Sequence, residues 1–563
     1  MPYDLKTIRA PRLVGASLRM AVGAIESSIG RAAIAPKLMR DAGIEGFRKV
    51  QLDDPPSVAP TLPRASSLPD QSGAPSTSSL ESVLTGSPEP KGFRFERVAD
   101  FARAYRENKT TPEAVAEQWL AAYGKSEAST PPLRAIIASE KDQVLAQARA
   151  STERFKQGKP LGPFDGVPVA IKDEVDALPY VTTAGTAFVK IKPERDGFVV
   201  KKLREAGAVI VGKANMHEIG IDTSGFNPHH GTPRNPYNPN HYTGGSSSGS
   251  GAAVASGLCP VAIGADGGGS IRIPASLCGV VGLKATFSRI SEAGAFPLCW
   301  SVAHVGPLGA TVRDVALAYA AIAGVDPNDP NTATQPPVRT DGLGESVKGM
   351  KLGIYRPWFD DSQKAVAQGC DEAVQRLVAQ GAELVEVELP DLELCRLAHG
   401  ITILTEMLTA MERYDDAHRS DYGLGVRMNL ALARELNNRD YVKAQQVRTR
   451  MIRHMEAIFA KCDVLVTPST AITAPAIRPD VLPSGESDLD MTSGMMRYVF
   501  LTNLTGHPGL SVPVGYDGNG MPIGLQLTGR FWEEHTLLRV GEQVERQVER
   551  KAPQVHFRLL PNA

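Results

Sequence analysis

Near the start of the chain apolar residues return every three or four positions: Val14, Leu18, Val22, Ile25 and Ile29. That spacing lays them along one stripe of a helix, so residues 1 to about 48 are expected to form a helical arm. Arg9, Arg12, Arg19, Arg31, Lys37 and Arg40 surround the stripe. A basic amphipathic helix can lie on a membrane surface. The reading placed first is plainer: the stripe packs on the body of the protein or on a second copy of it. Residues 49–91 then lose all periodicity. They are rich in Pro and Ser ("PPSVAPTLPRASSLPDQSGAPSTSS") and lack aromatic residues, so an extended or poorly ordered connector is expected.

From residue 92 to 563 short apolar runs alternate with helical stretches. "VPVAIK", "AVIVGKA", "PVAIGAD", "KLGIYRP", "AELVEVEL", "CDVLVTP", "GLSVPVG" and "IGLQLTG" read as strands. A helix is expected to open near Thr110–Pro112, with Glu113 available for a capping box. Another is expected across 426–460. Strands alternating with helices predict an α/β domain whose mostly parallel sheet is covered on both faces.

Composition narrows the function. The 563 residues are 42% hydrophobic and 22% charged, with net charge −1, so no bulk charge recruits nucleic acid. The six cysteines, Cys259, Cys278, Cys299, Cys370, Cys395 and Cys462, form no CxxC pair. Reduced, mostly buried thiols and a cytoplasmic location are expected, with no structural zinc. His229–His230, flanked by Pro228 and Gly231, reads as a turn rather than a metal site. No apolar run reaches the ~18 residues that span a bilayer, and the N-terminus lacks the apolar core of a secretory signal.

Two motifs invite the wrong chemistry. "GAVIVGKA" (207–214) nearly matches a P-loop, but Ala214 stands where Ser or Thr is needed and an apolar strand replaces the phosphate loop. "GSSSG" (245–249) matches the nucleophile elbow with Ser247 at its centre, yet no strand precedes it. The stronger signal is a pair of Gly/Ser clusters, "TGGSSSGSGAAVASG" (243–257) and "GGGSIRIP" (267–274). Alone, the first reads as a flexible linker. The second folds tightly through its glycines. The N–H groups of Gly267, Gly268, Gly269 and Ser270 can converge on one oxygen, which makes an oxyanion hole from backbone alone. Arg272 is placed to anchor that loop. A serine nucleophile needs a base. No histidine lies in either cluster, so Lys172, closing the apolar strand "VPVAIK", is the candidate; burial is what would let a lysine accept a proton.

Lys172 in "PVAIKDEVD", Ser246 in "YTGGSSSGS" and Ser270 in "GADGGGSIRIP" together resemble the motif set of the amidase signature family. The likeness extends through "CGVVGLKAT", "KLREAGAVIVGKANMHE", "CDVLVTPS" and "NLTGHPGLSVPVGYDGNGMPIGLQLTGR". "TIRAPRLVGASLRM" and "FRFERVADFARAYRENKTTPEAV" resemble the plant-type branch of the fatty acid amide hydrolases. The resemblance implies a large mixed β-sheet sandwiched between helices, formed by 92–563 as one catalytic domain. It implies a Ser-Ser-Lys triad in which Lys172 works through Ser246, held on a cis Gly245–Ser246 peptide, while Ser270 attacks the amide carbon and carries the acyl group. Asp266, Arg272 and Ser247 would support the loops. No cofactor is implied. The substrate would be a long-chain fatty acid amide of the N-acyl ethanolamine type, with "ITILTEMLTAMERY" (401–414) a candidate lining for the acyl tunnel, although plain helix core is the expectation for any single residue there. A small- or aryl-amide amidase, the glutaminase subunit of a tRNA-dependent amidotransferase, and a non-catalytic interaction protein are the other readings. A homodimer is expected, with the arm as the candidate for peripheral membrane contact.

Overall fold

The computed structural model describes residues 3–6, 10–63, 83–84, 91–482 and 484–561. Its centre is an 11-stranded sheet. In chain order the strands are β1 (Ile136–Ala138), β2 (Pro168–Lys172), β3 (Val209–Ala214), β4 (Val261–Ala265), β5 (Val281–Lys284), β6 (Val305–Gly309), β7 (Lys351–Ile354), β8 (Glu383–Glu386), β9 (Val464–Pro468), β10 (Gly509–Tyr516) and β11 (Pro522–Thr528). They lie side by side as β8-β7-β9-β11-β10-β5-β6-β4-β2-β3-β1.

Every residue of β2, β3, β4, β5, β6, β9 and β11 is buried. Side chains of one strand alternate between faces, so helices must cover both sides. The sheet is mixed rather than mostly parallel. Only the pairs β8–β7, β7–β9, β2–β4 and β2–β3 are parallel. In the middle the pairs are antiparallel: β10 and β11 form a hairpin closed at Asp517, which accepts from Asn519 and Met521. β5 and β6 also pair antiparallel.

The parallel group fixes the chemistry. Val169 and Ile171 of β2 lie opposite Val261 and Ile263 of β4. Lys172 and Ala265 therefore close neighbouring strands at the same edge; the second Gly/Ser cluster follows β4 directly, and the first lies between β3 and β4.

The arm forms helices at Gly15–Glu26, Ser28–Asp41 and Ile44–Lys49. Leu18, Val22 and Ile25 are buried against Met428 and Ala431 of the helix Leu424–Ala433, so the stripe packs on the body of its own chain. Ile29 departs from the expected stripe and is 84% exposed. Ser27 explains this: it ends the first helix and caps the second, accepting from Gly30 N, so the helical phase restarts there. Arg12 pairs with Asp480 and Glu486, and Glu26 with Arg427. Arg9 lies outside the described residues.

Most of the connector, 64–82 and 85–90, lies outside them too. Its first part is pinned: Asp54 pairs with Arg450 and Arg453, and Gln446 donates to the Leu52 and Asp54 carbonyls.

Two helix expectations shift. The helix near residue 110 spans Pro112–Ala128 with Thr111 as its cap. Glu113 stands one position too early for a capping box and pairs with Arg149 instead. The stretch 426–460 is two helices, Leu424–Ala433 and Asn438–Phe459, because Asn437 and Asp440 form a capping box that starts the second. No described helix is long and apolar enough to cross a membrane.

Candidate active site

Lys172 is buried, and its Nζ donates to Ser246 Oγ at 2.8 Å and to Ala265 O at 3.1 Å. Ser246 follows a cis Gly245–Ser246 peptide, and its carbonyl accepts from His217 N at 3.0 Å. The first Gly/Ser cluster is no tether: it leads into the helix Ser248–Ala255, buried on all sides. Only small residues allow that burial, as a Cβ on Gly249 would lie 2.3 Å from Asn215 N and Ala135 O.

Ser247 joins the two clusters. Its Oγ donates to Ala265 O and accepts from Ala265 N, while its own N–H donates to Ser270 O at 3.2 Å. With its hydroxyl so engaged, Ser247 is not a nucleophile elbow. Ser250 Oγ likewise donates to Ile263 O at 2.9 Å. The P-loop look-alike is strand β3, whose Lys213 is buried against Asp173 at 3.4 Å.

The second cluster is held from beneath by an ion pair. Asp266 accepts from Gly269 N at 2.6 Å and Ile271 N at 3.1 Å, and receives Arg272 Nε and Nη2 at 3.0 Å each. Arg272, fully buried, also donates to Thr502, Gln526, Asn503 and the Val499 carbonyl. Burial alone would raise the Asp266 carboxyl, but Arg272, then Lys284 and Asn503, hold it well below the usual carboxylate range. These contacts correct the expected donor set. The Gly269 N–H is spent on Asp266. Among the described residues, the N–H groups of Gly267, Gly268 and Ser270 have no protein acceptor. Gly269 still requires glycine, with φ at +103° and Val499 2.5 Å from where a Cβ would stand.

His399 has no local sequence signal linking it to the site. It stands on the helix Leu392–His418, and its Nε2 donates to Gly267 O at 2.8 Å. Burial lowers its pKa to about 4, so the ring is neutral at physiological pH and its donated bond fixes the loop's outer edge.

Two cavities meet at Ser270. The larger, about 1240 Å³ with its open mouth, is lined by Ile221, Ile403, Leu404, Met407, Met496 and Phe500, and also by Leu5 and Lys6 of the arm, Asp222, Arg396 and Asp488. Of the suggested tunnel helix, Ile403, Leu404 and Met407 reach this cavity, whereas Ile401 and Met411 are core. The smaller, about 610 Å³, is walled by Lys172, Glu174, Ser246, Glu292, Phe296 and Trp300. His229 bonds Glu218 in a turn, and no group of three or more His, Cys, Asp or Glu among the described residues is placed to hold a metal ion. All six cysteines are free and buried.

A family model described as Amidase matches residues 117–538. A fatty acid amide hydrolase of Arabidopsis thaliana is 38% identical over 96% of this chain and 94% of its own. A glutamyl-tRNA(Gln) amidotransferase subunit from Koribacter versatilis is 35% identical over 78% of this chain and 96% of its own. Among solved structures, the peptide amidase of Stenotrophomonas maltophilia superposes with a TM-score of 0.71 at 30% identity, covering 82% of this chain and 98% of its own. The chain belongs to the amidase signature family and is an amide-hydrolysing enzyme.

Proposed function

We propose that this enzyme hydrolyses long-chain fatty acid amides of the N-acyl ethanolamine type through Lys172, Ser246 and Ser270. The observation that carries the reading is the 2.8 Å contact of Lys172 Nζ with Ser246 Oγ, beside a Ser270 that faces a cavity with apolar walls. Ser270 Oγ attacks the amide carbon and passes its proton to Ser246 Oγ, while the Ser246 proton moves to Lys172 Nζ. The carbonyl π electrons move onto oxygen, and the N–H groups of Gly267, Gly268 and Ser270 receive that charge. Such donors act where charge develops and need no reorganisation. As the C–N bond breaks, Lys172 returns its proton through Ser246 to the departing amine. Water, deprotonated by the same relay, then attacks the Ser270 ester carbon, and as the C–Oγ bond breaks the relay returns that proton to Ser270 Oγ and the fatty acid is freed.

Two observations favour a lipid amide. The similarity to the fatty acid amide hydrolase of Arabidopsis thaliana covers 96% of the chain and so takes in most of the arm, whereas that to the amidotransferase protein covers 78%. The arm's own Leu5 meets the larger cavity. The test is hydrolysis of an amide series from acetamide to a C18 N-acyl ethanolamine, with Ser270→Ala alongside. A steep rise of kcat/KM with chain length and an inactive variant are expected. Preference for short or aryl amides would reject the lipid assignment, and an active Ser270→Ala would reject the mechanism.

A further inference from the structure

Lys172 Nζ has a third polar neighbour that the proton relay does not use. Glu174 Oε2 lies 3.2 Å away, with both side chains buried. The turn after β2 brings the carboxylate back over the lysine: Val175 N donates to Lys172 O at 3.0 Å, and Glu174 O accepts from Phe296 N at 2.7 Å. The Glu174 backbone is thus held on both sides, and its side chain is aimed by the fold.

The geometry suits both protonation states of the lysine. A neutral amine has two N–H bonds and one lone pair. With Ala265 O and Glu174 taking the two hydrogens, the lone pair points to Ser246 Oγ. An ammonium has three N–H donors, and the same three acceptors receive them. Of the three, Glu174 is the one that neither belongs to the proton relay nor is a backbone group, so its side chain can be changed without touching the others.

We infer that Glu174 is a positioning residue for amide hydrolysis: its carboxylate takes one hydrogen of Lys172 Nζ and so turns the Lys172 lone pair toward Ser246. This rests on the Lys172–Ser246–Ser270 reading above.

Other titratable groups face the lysine from every side. Burial holds His217, beyond β3, below its usual range, and Lys172 adds to that. Cys299, across the smaller cavity, is raised well above its usual value by burial and then by Glu406, Glu292 and Glu174. Glu406, on the helix Leu392–His418, is raised by burial and bonded to Ser301 and Tyr441. Asp266 is committed to Arg272, and Asp173 to Lys213 and Gly185 N. Glu292 is the competitor to control for: it shares the cavity, and burial followed by Asp329, Glu174 and Glu406 pushes its carboxyl well up.

The experiment measures kcat and KM at one fixed pH for the full chain on a C18 N-acyl ethanolamine. It compares the unmodified enzyme with Glu174→Gln, Glu174→Ala, Glu292→Gln and Lys172→Ala. Glu174→Gln keeps an oxygen acceptor for Lys172 Nζ and should keep most of kcat. Glu174→Ala removes that acceptor and should lower kcat by about tenfold or more with KM nearly unchanged. Glu292→Gln should change kcat less than Glu174→Ala. An unchanged kcat in Glu174→Ala, an equal loss in Glu174→Gln, or a larger one in Glu292→Gln overturns the inference. Should Glu174→Ala fail to fold, Glu174→Asp, with its carboxylate set back by one carbon, decides alone, because an unchanged kcat there is equally fatal. Lys172→Ala separates the two levels: activity retained in it rejects the relay itself, whereas its loss beside an unchanged kcat in Glu174→Ala rejects only the role of Glu174.

Discussion

The loop under Ser270 and the N-terminal arm are both fastened by arginine–carboxylate pairs, yet the pairs do different work. Arg272 and Asp266 are wholly buried, and each contact has a polar partner within the fold. Arg12 pairs with Asp480, which is half exposed, and with the largely buried Glu486, while Glu26 and Arg427 are partly buried at the edge of the arm. Water reaches the Arg12–Asp480 pair and is excluded from the loop. A buried pair therefore dictates geometry, because removing one partner strands a charge. A surface pair adds little, and the arm's attachment rests on Leu18, Val22 and Ile25 instead.

Substitutions can break that contrast, beginning with the largest effect. Ser270→Ala should lower kcat by at least about 10³-fold, as for other serine nucleophiles, with the melting temperature nearly unchanged. Arg272→Met leaves the Asp266 carboxylate unpaired in the core and should cost about 3–5 kcal/mol in denaturant unfolding. Activity should fall with it, because Gly269 and Ile271 hang from the same carboxylate. If Arg272→Met unfolds at the same denaturant concentration as the unmodified chain, the pair does not dictate the loop.

His399 lies between the extremes. Its pKa in the fold is about 4, below the ~6.5 of an unfolded histidine. The unfolded chain therefore binds the proton first as pH falls. The stabilisation of the neutral ring is complete above about 6.5 and is lost on descent toward about 4. His399→Gln, which retains a donor for Gly267 O, should flatten stability across that window, read from urea midpoints at several pH values. An unchanged slope would remove His399 as its source.

At the arm, Leu18→Ala should cost about 2 kcal/mol, seen as local hydrogen exchange in Gly15–Glu26 while the amide series keeps its kcat. Arg12→Ala should cost no more than about 1 kcal/mol. A larger loss from Arg12 than from Leu18 would reverse the comparison.

The same contrast explains what could be read from the chain. Lys172, Ser246 and Ser270 announce themselves because loops that are tight and buried demand runs of glycine and serine. Strands such as "VPVAIK" are visible as unbroken apolar runs. β5 and β6 are not, since "VGLK" and "VGPLG" are short and interrupted by Gly and Pro. Ser27 hid its effect on the stripe because the apolar spacing runs through it to Ile29, and Asn437 its break because helical residues stand on both sides. Gly269 sits among identical neighbours, so only the fold shows its N–H turned to Asp266 rather than to the cavity. His399 reaches Gly267 across 132 positions, a distance over which no local pattern carries information. Glu174 stands two residues from Lys172, but nothing short of the turn geometry shows its carboxylate folding back.

The most direct test of the account is to treat the enzyme with a long-chain alkyl fluorophosphonate and map the adduct by peptide mass spectrometry. The account predicts one adduct, on Ser270, formed far more slowly in Ser246→Ala and Lys172→Ala. An adduct on Ser246 or Ser247, or unchanged labelling of Ser270 without Lys172, would contradict it.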